Sequence, residues 1–202
     1  NGSGSAATIG HGLGIAPSMF MFKARSAAGE NWITYHKSIG TQYLTLNTTN
    51  AAATNANIWN SAPTSSVISY GSSATSPNVT YVCYAFAEIA GFSKFGSYTG
   101  NASADGPFVY CGFRPKFVMI KSASNAYDWL MYDTARNTYN LTTQVVYADL
   151  INAESTGSIY DVLDILSNGF KIKGTNNAIN GSGYNQIFVA FAENPFKYAN
   201  AR

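Results

Sequence analysis

The residues best suited to chemistry are two glutamates. Glu88 and Glu193 close the same tetrad, Ala85-Phe86-Ala87-Glu88 and Ala190-Phe191-Ala192-Glu193. Facing one another across a pseudo-twofold, they could act as the paired acids of a glycosidase. A glutamate repeated at one strand end has a plainer role, which is to end the strand or take the main chain of a neighbouring loop. No second acid stands two or four residues from either one. Asp128, Asp133 and Arg136 form a second cluster, in DWLMYDTARN. Strand alternation puts Asp128 and Asp133 on opposite faces, so an Asp133–Arg136 pairing within a turn is expected there rather than a catalytic dyad. The equivalent of Asp133 in the first half is His36, which argues against a duplicated active site.

Other chemistries find less support. Cys83 and Cys111 lie in apolar strand patterns at non-equivalent places, and they read as buried free thiols rather than a disulfide. Two Cys and two His at scattered positions lack zinc-ligand spacing. Asp161-Val162-Leu163-Asp164 does not have the alternate carboxylates of a calcium loop. No cofactor is expected, although a structural Ca²⁺ held by mixed Asn, Asp and carbonyl oxygens stays open. The glycines of His11-Gly12-Leu13-Gly14 are not followed by the strand and helix of a phosphate loop, so His11 is expected in a turn.

Aromatics in polar loops are the remaining resource. Trp32 and Trp129 recur at matching positions and are expected to anchor two half-cores. Trp59 differs, because it stands in a long loop as Asn57-Ile58-Trp59-Asn60, with Tyr160 as its counterpart in the second half. A ring flanked by amides can stack on the apolar face of a sugar while the amides take its hydroxyls. The same tryptophan could instead cap the core beneath its loop. The candidate ligand-binding set is Asn57, Trp59 and Asn60 with Asn176 and Asn177 from a second polar loop.

These loops need a scaffold, and the scaffold reads as strands. Short alternating or apolar runs occupy residues 19–23, 32–36, 43–47, 66–70 and 80–88, then 108–112, 117–122, 129–133, 141–147, 161–166, 170–173 and 186–192. Ser167-Asn168-Gly169-Phe170 predicts a β-hairpin over residues 161–173 with a type I′ turn at Asn-Gly. The only helical candidates, residues 134–139 and 148–154, are too short and too rich in Asn and Thr to stand alone.

The chain also repeats itself. PSMFMFKARSAAGENWITYHKSI from Pro17 is echoed by PKFVMIKSASNAYDWLMYDTARN from Pro115, and YVCYAFAEIAGFSKF by NQIFVAFAENPFKY. The expected fold is therefore all-β: a jelly-roll or lectin-like β-sandwich built from two tandem homologous repeats of about 100 residues. The expected organisation is a Gly/Ser linker at 1–8, a first repeat at 9–95, a junction at 96–106 and a second repeat at 107–202, forming one compact double-repeat unit. A start at Asn1 rather than Met suggests a piece of a longer polypeptide or a processed product.

Composition bounds the partners. Only 11% of residues are charged, against about 25% in an ordinary soluble domain. The surface is thus polar but largely uncharged, which suits an extracellular setting and hydroxyl-rich ligands. Twelve basic and ten acidic residues give a net charge of +2 without any basic cluster, so nucleic acid is not an expected partner. Apolar runs are too short for a spanning helix, and the first residues lack a signal-peptide pattern, so neither a membrane nor a leader is expected.

The segments GFSKFGSYTGN, GPFVYCGFRPKFVMIKS, DWLMYDTARN and AFAENPFKYAN resemble a family of phage-encoded structural domains, common in marine phages and found in tail-fibre or other virion-associated proteins. The resemblance spans most of the chain. It implies a concanavalin-like β-sandwich and a place on a virion, and it supplies no functional residue. Three functions follow as expectations. The first is a non-enzymatic tail-fibre or appendage domain that binds host-surface saccharide through its loops. The second is a decoration or assembly module that binds another virion protein through an apolar patch. The third and weakest is a polysaccharide depolymerase. Self-association, as in trimeric fibres, is expected by analogy alone.

Overall fold

The computed structural model describes residues 1–157 and 161–193. The chain divides into two compact units, Asn1–Ala87 and Glu88–Arg202. Each has its own buried cluster.

In the first unit the strands are β1 (Ala7–Gly10), β2 (Met19–Ala24), β3 (Ile33–His36), β4 (Leu44–Thr45), β5 (Val67–Tyr70) and β6 (Tyr81–Phe86). A single 3-10 turn, Lys37–Ile39, is capped by His36, whose Nδ1 accepts from the Ser38 N–H. β1 pairs antiparallel with β5, and the second sheet runs β4-β3-β2-β6. Phe20 and Phe22 from β2, Tyr35 from β3 and Ile68 and Tyr70 from β5 meet in one cluster, so both sheets feed the same core. The expected linker over residues 1–8 is instead part of this unit. Gly2 is buried and donates to Val79 O at 2.6 Å, and β1 already begins at Ala7.

The second unit holds β7 (Ser93–Thr99), β8 (Phe108–Tyr110), β9 (Pro115–Ser122), β10 (Leu130–Asp133), β11 (Val146–Tyr147), β12 (Leu163–Leu166), β13 (Gly169–Ile172), the short helix α1 (Asn177–Asn180) and β14 (Asn185–Ala192). Its sheets run β11-β10-β9-β14-β7 and β12-β13-β8, all antiparallel. Val118, Ile120, Leu130, Phe188 and Ala190 of the larger sheet share a core with Val109, Leu163, Phe170 and Ile172 of the smaller one. β7 takes in residues 96–99 of the expected junction at 96–106, and the whole of that stretch falls in this unit.

Pairing within the two units follows the same register. Phe20 lies opposite Tyr35 and Ala85, and Val118 lies opposite Tyr132 and Ala190. Met19 lies opposite His36 and Phe86, and Phe117 lies opposite Asp133 and Phe191. Even a side-chain bond recurs, since Asn47 Oδ1 takes the Trp32 N–H at 2.8 Å and Asp149 Oδ1 takes the Trp129 N–H at 3.0 Å. β7 is the strand that the second unit adds beside β14, while its counterpart position beside β6 ends the first unit's sheet.

The predicted hairpin forms as β12 and β13, but its turn differs. Leu166 pairs with Gly169, leaving Ser167 and Asn168 as the loop, and none of residues 167–169 has positive φ. The turn is not type I′. Gly169 is required for another reason: a Cβ there would lie 2.0 Å from Val109 O on β8. The helical candidates at 134–139 and 148–154 contain no helix.

Candidate functional site

The expected loop site does not assemble around Trp59. Its side chain is 1% exposed, with Phe20, Phe22 and Tyr35 packed edge-on at ring-centroid distances of 4.8, 5.4 and 6.4 Å. No face is left for a sugar, so Trp59 is a core residue, and burial of its large ring explains why a loop tryptophan points inward. Asn57 and Asn60 are exposed, with Asn60 Nδ2 donating to Tyr70 O at 3.0 Å. Asn176 caps α1, its side chain accepting from the Ala178 N–H at 2.9 Å, and Asn177 is exposed in the first turn of that helix. Asn57, Trp59 and Asn60 belong to one unit and Asn176 and Asn177 to the other. Tyr160 lies outside the described residues, as does the end of the AFAENPFKYAN phrase beyond Glu193. Trp32, expected as a core anchor, is only partly buried and stacks on Tyr84 at 6.1 Å with Lys23 Nζ 5.9 Å from its ring. Trp129 is buried at 1% exposure.

The structure presents a different aromatic surface, in the second unit. β8 is the edge of the three-stranded sheet and alternates out, in, out: Val109 enters the core opposite Phe170, while Phe108 and Tyr110 stand 46% and 63% exposed. Residues two apart on a strand lie about 6–7 Å apart on one face, so these rings form a short aromatic rail. β7, the edge of the five-stranded sheet, contributes Lys94, Gly96, Ser97 and Tyr98 to the same cleft, whose volume is about 330 Å³. Gly96 keeps the floor flat, since a Cβ there would meet the Phe188 ring at 2.8 Å. A second hollow of about 370 Å³ continues past Tyr110 and Lys94 to Glu88, Ser93 and Gly112.

The polar groups here are held in place. Glu88 Oε1 pairs with Lys94 Nζ at 2.7 Å, and its Oε2 accepts the Phe95 N–H at 3.2 Å. Tyr98 is fixed by donating to Ile179 O at 2.6 Å, and burial pushes its hydroxyl well above the usual range. The loop joining β7 to β8 is pinned by Asn180, which accepts from the Asn101 N–H at 2.9 Å and donates to Ser103 O and Gly174 O at 2.8 and 2.9 Å.

Several groups suited to covalent or acid–base chemistry are ion-paired or held protonated. Glu193 pairs with Arg114 at 2.8 Å, so both repeated glutamates carry a cation, and Glu88 also binds main chain as its position suggested. Burial pushes the Cys111 thiol up to about 12 and the Cys83 thiol to about 11, which leaves both as free, protonated thiols near neutral pH. Asp133 makes the expected turn pairing with Arg136, at 2.5 Å, and accepts the N–H groups of Ala135 and Arg136. Burial opposes ionisation of Asp133, but the Arg136 hydrogen bonds and charge outweigh it and hold the carboxyl below its ordinary value. His11 lies in the turn-like segment expected, bridging the Thr64 carbonyl at 3.1 Å and the Leu13 N–H at 3.2 Å. Among the described residues no group of three or more His, Cys, Asp or Glu could hold a metal ion, and no helix is long and apolar enough to cross a membrane.

Lys121 is a feature that the sequence did not flag. It is fully buried on β9, donates to Ser122 O at 2.9 Å, and burial lowers it to about 8 against the opposing pull of Asp149 and Asp128. Phe108 and Tyr110 went unflagged because PFVYCGF reads as uniformly apolar. Its face assignment depends on which sheet β8 borders, and a three-residue strand does not encode that.

The chain is nearly all-β, in two units, and the second unit carries a cleft lined by aromatic and polar residues. The chain belongs to the family described as "Domain of unknown function (DUF7483)", which matches residues 1–195. No curated protein and no solved structure matches it.

Proposed function

We propose that this chain is a non-catalytic phage virion domain, from a tail fibre or similar appendage, that binds a saccharide of the host surface in the β7–β8 cleft. The observation that carries the reading is the pair of exposed rings, Phe108 and Tyr110, lining a cleft with the polar groups of Lys94 and Ser97. Rings offer apolar faces to the C–H side of a sugar, and the tyrosine hydroxyl and nearby amine satisfy its hydroxyls. The cation-paired glutamates and the high thiol pKa values favour binding over turnover. The virion setting rests on the phage-family resemblance and on the polar, weakly charged surface.

We further read each unit as one copy of a duplicated two-sheet sandwich. The matched registers and the recurring Trp32–Asn47 and Trp129–Asp149 bonds support this.

The test is a bacterial surface glycan panel probed with the full chain and with Tyr110→Ala. Selective binding by the parent, lost in Tyr110→Ala at unchanged melting temperature, is expected. Silence across the panel from a folded sample, or equal binding by both proteins, sinks this site. One observation favours the assembly-module reading: Leu150 and Ile151 stand 38% and 104% exposed side by side. That reading predicts capture of another virion protein, lost on Ile151→Asp, with glycan binding absent.

A further inference from the structure

We infer that β6 is an acceptor edge for an extended segment of another polypeptide, which adds to the first unit's sheet as a new antiparallel strand. The inference does not depend on the saccharide reading. The bond from Arg25 N to Thr80 O at 2.7 Å fixes the phase of the β2–β6 ladder. Even-numbered residues of β6 then turn their main chain to β2, and Tyr81, Cys83 and Ala85 turn theirs outward. β6 ends its sheet, so among the described residues no strand meets these groups.

The second unit shows what belongs there. Through the shared register with β2 and β9, Tyr81, Cys83 and Ala85 correspond to Gln186, Phe188 and Ala190 of β14. Those three lie opposite Tyr98, Gly96 and Lys94 of β7, and the adjoining Ala192 N to Phe92 O bond places them in the hydrogen-bonded phase. Exposure records the difference. Ile187, Phe188, Val189 and Ala190 are at most 4% exposed, whereas Val82, Cys83 and Ala85 are only partly buried and Tyr84 is 46% exposed. An open edge of this kind is a template for strand addition.

The occupant's chemistry follows from what flanks the edge. A hollow of about 290 Å³ lies beside it, lined by Ile9, Gly10, His11, Leu13, Cys83 and Ala85, with no Lys, Arg, Asp or Glu. Cys83 stands where the second unit has the Phe188 ring. The position that must be glycine in β7, where a Cβ would meet that ring at 2.8 Å, therefore has room for a side chain over β6. The partner is an extended segment whose side chain opposite Cys83 is uncharged and apolar.

The probe is the peptide FSKFGSYTG, the sequence of residues 92–100, added to the full chain and read by fluorescence anisotropy and by amide exchange. Binding should protect the amides of Tyr81, Cys83 and Ala85, and a peptide with Gly96→Val should bind about tenfold tighter by filling the hollow. N-methylation at the Lys94 and Gly96 positions should abolish binding by removing the donors aimed at β6. N-methylation at Phe95 and Ser97, which face away, should leave it intact. Equal binding of the two N-methylated peptides, protection at Gln186–Ala190 instead, or no binding of either peptide by the folded chain at millimolar concentration would overturn the inference. No substitution in the protein is needed, so misfolding cannot mimic a negative result.

Discussion

Trp59 and Tyr110 make opposite claims on the same mutation. Trp59 is sealed among Phe20, Phe22 and Tyr35, so Trp59→Ala should cost about 3–5 kcal/mol of stability. Tyr110 is 63% exposed on an edge strand, and Tyr110→Ala should change stability by about 0.5 kcal/mol or less while removing glycan binding. Urea unfolding of both variants separates the two roles, and a stability-neutral Trp59→Ala would refute the core assignment. Lys121 gives a pH-dependent case. Its folded value, lowered by burial to about 8, lies below the ordinary 10.5, so between those values the unfolded chain binds more protons and this group's contribution to stability rises with pH. Below about pH 8 the folded state bears a buried charge. Lys121→Met should then stabilise the protein at pH 7 by on the order of 1–3 kcal/mol, and the gain should shrink as pH climbs from 8 to 10. A constant gain across that range would show that Lys121 is not titrating in the window its burial dictates.

At the level of elements, the first half of the loop between β7 and β8 is held by the Asn180 side chain, and its second half by Lys171, which donates to Gly106 O at 2.9 Å. Asn180 is fully buried and satisfies the Asn101 N–H and the carbonyls of Ser103 and Gly174. Asn180→Ala strands those three groups and should cost about 2–4 kcal/mol. Faster amide exchange at Asn101 should accompany the loss, and unchanged exchange there would mean that this amide is held by something else. Strands such as β2, β9 and β14 were legible from the sequence because apolar side chains dominate them. β1 and β7 were not. Ala7–Gly10 holds one large apolar residue, and Ser93–Thr99 buries a serine and a phenylalanine on one face while giving up a side chain at Gly96 to make room for Phe188. What marks β7 as a strand is the neighbour it meets, and that neighbour lies about ninety residues further along the chain. The same limit explains the two tryptophans, since Trp32 looked like the anchor and Trp59 like the ligand ring. Their places depend on which sheet face each meets, which alternation within one segment does not reveal.

Over the whole molecule, charge is scarce: 12 basic and 10 acidic side chains in 202 residues. Several of the ions are spent on local pairs, Glu88–Lys94, Glu193–Arg114, Asp133–Arg136 and Asp105–Lys171, all at least partly in water. Pairs of that kind contribute about 0–1 kcal/mol each and weaken with salt. Little long-range field is left to attract a charged partner, so the proposed saccharide binding would rest on short-range contacts with ring faces, hydroxyls and amides. A saccharide bound between β7 and β8 should therefore hold almost the same affinity in 0.05 M and 0.5 M NaCl, within about twofold. Binding to a polyanion through Lys94 and its neighbours would instead fall steeply over that range, as counterion release demands. Titrating the ligand found in the glycan panel at both salt concentrations decides between them. A drop of tenfold or more would identify an anionic glycan held by charge, and would move the centre of recognition from the Phe108–Tyr110 rail to the lysine beside it.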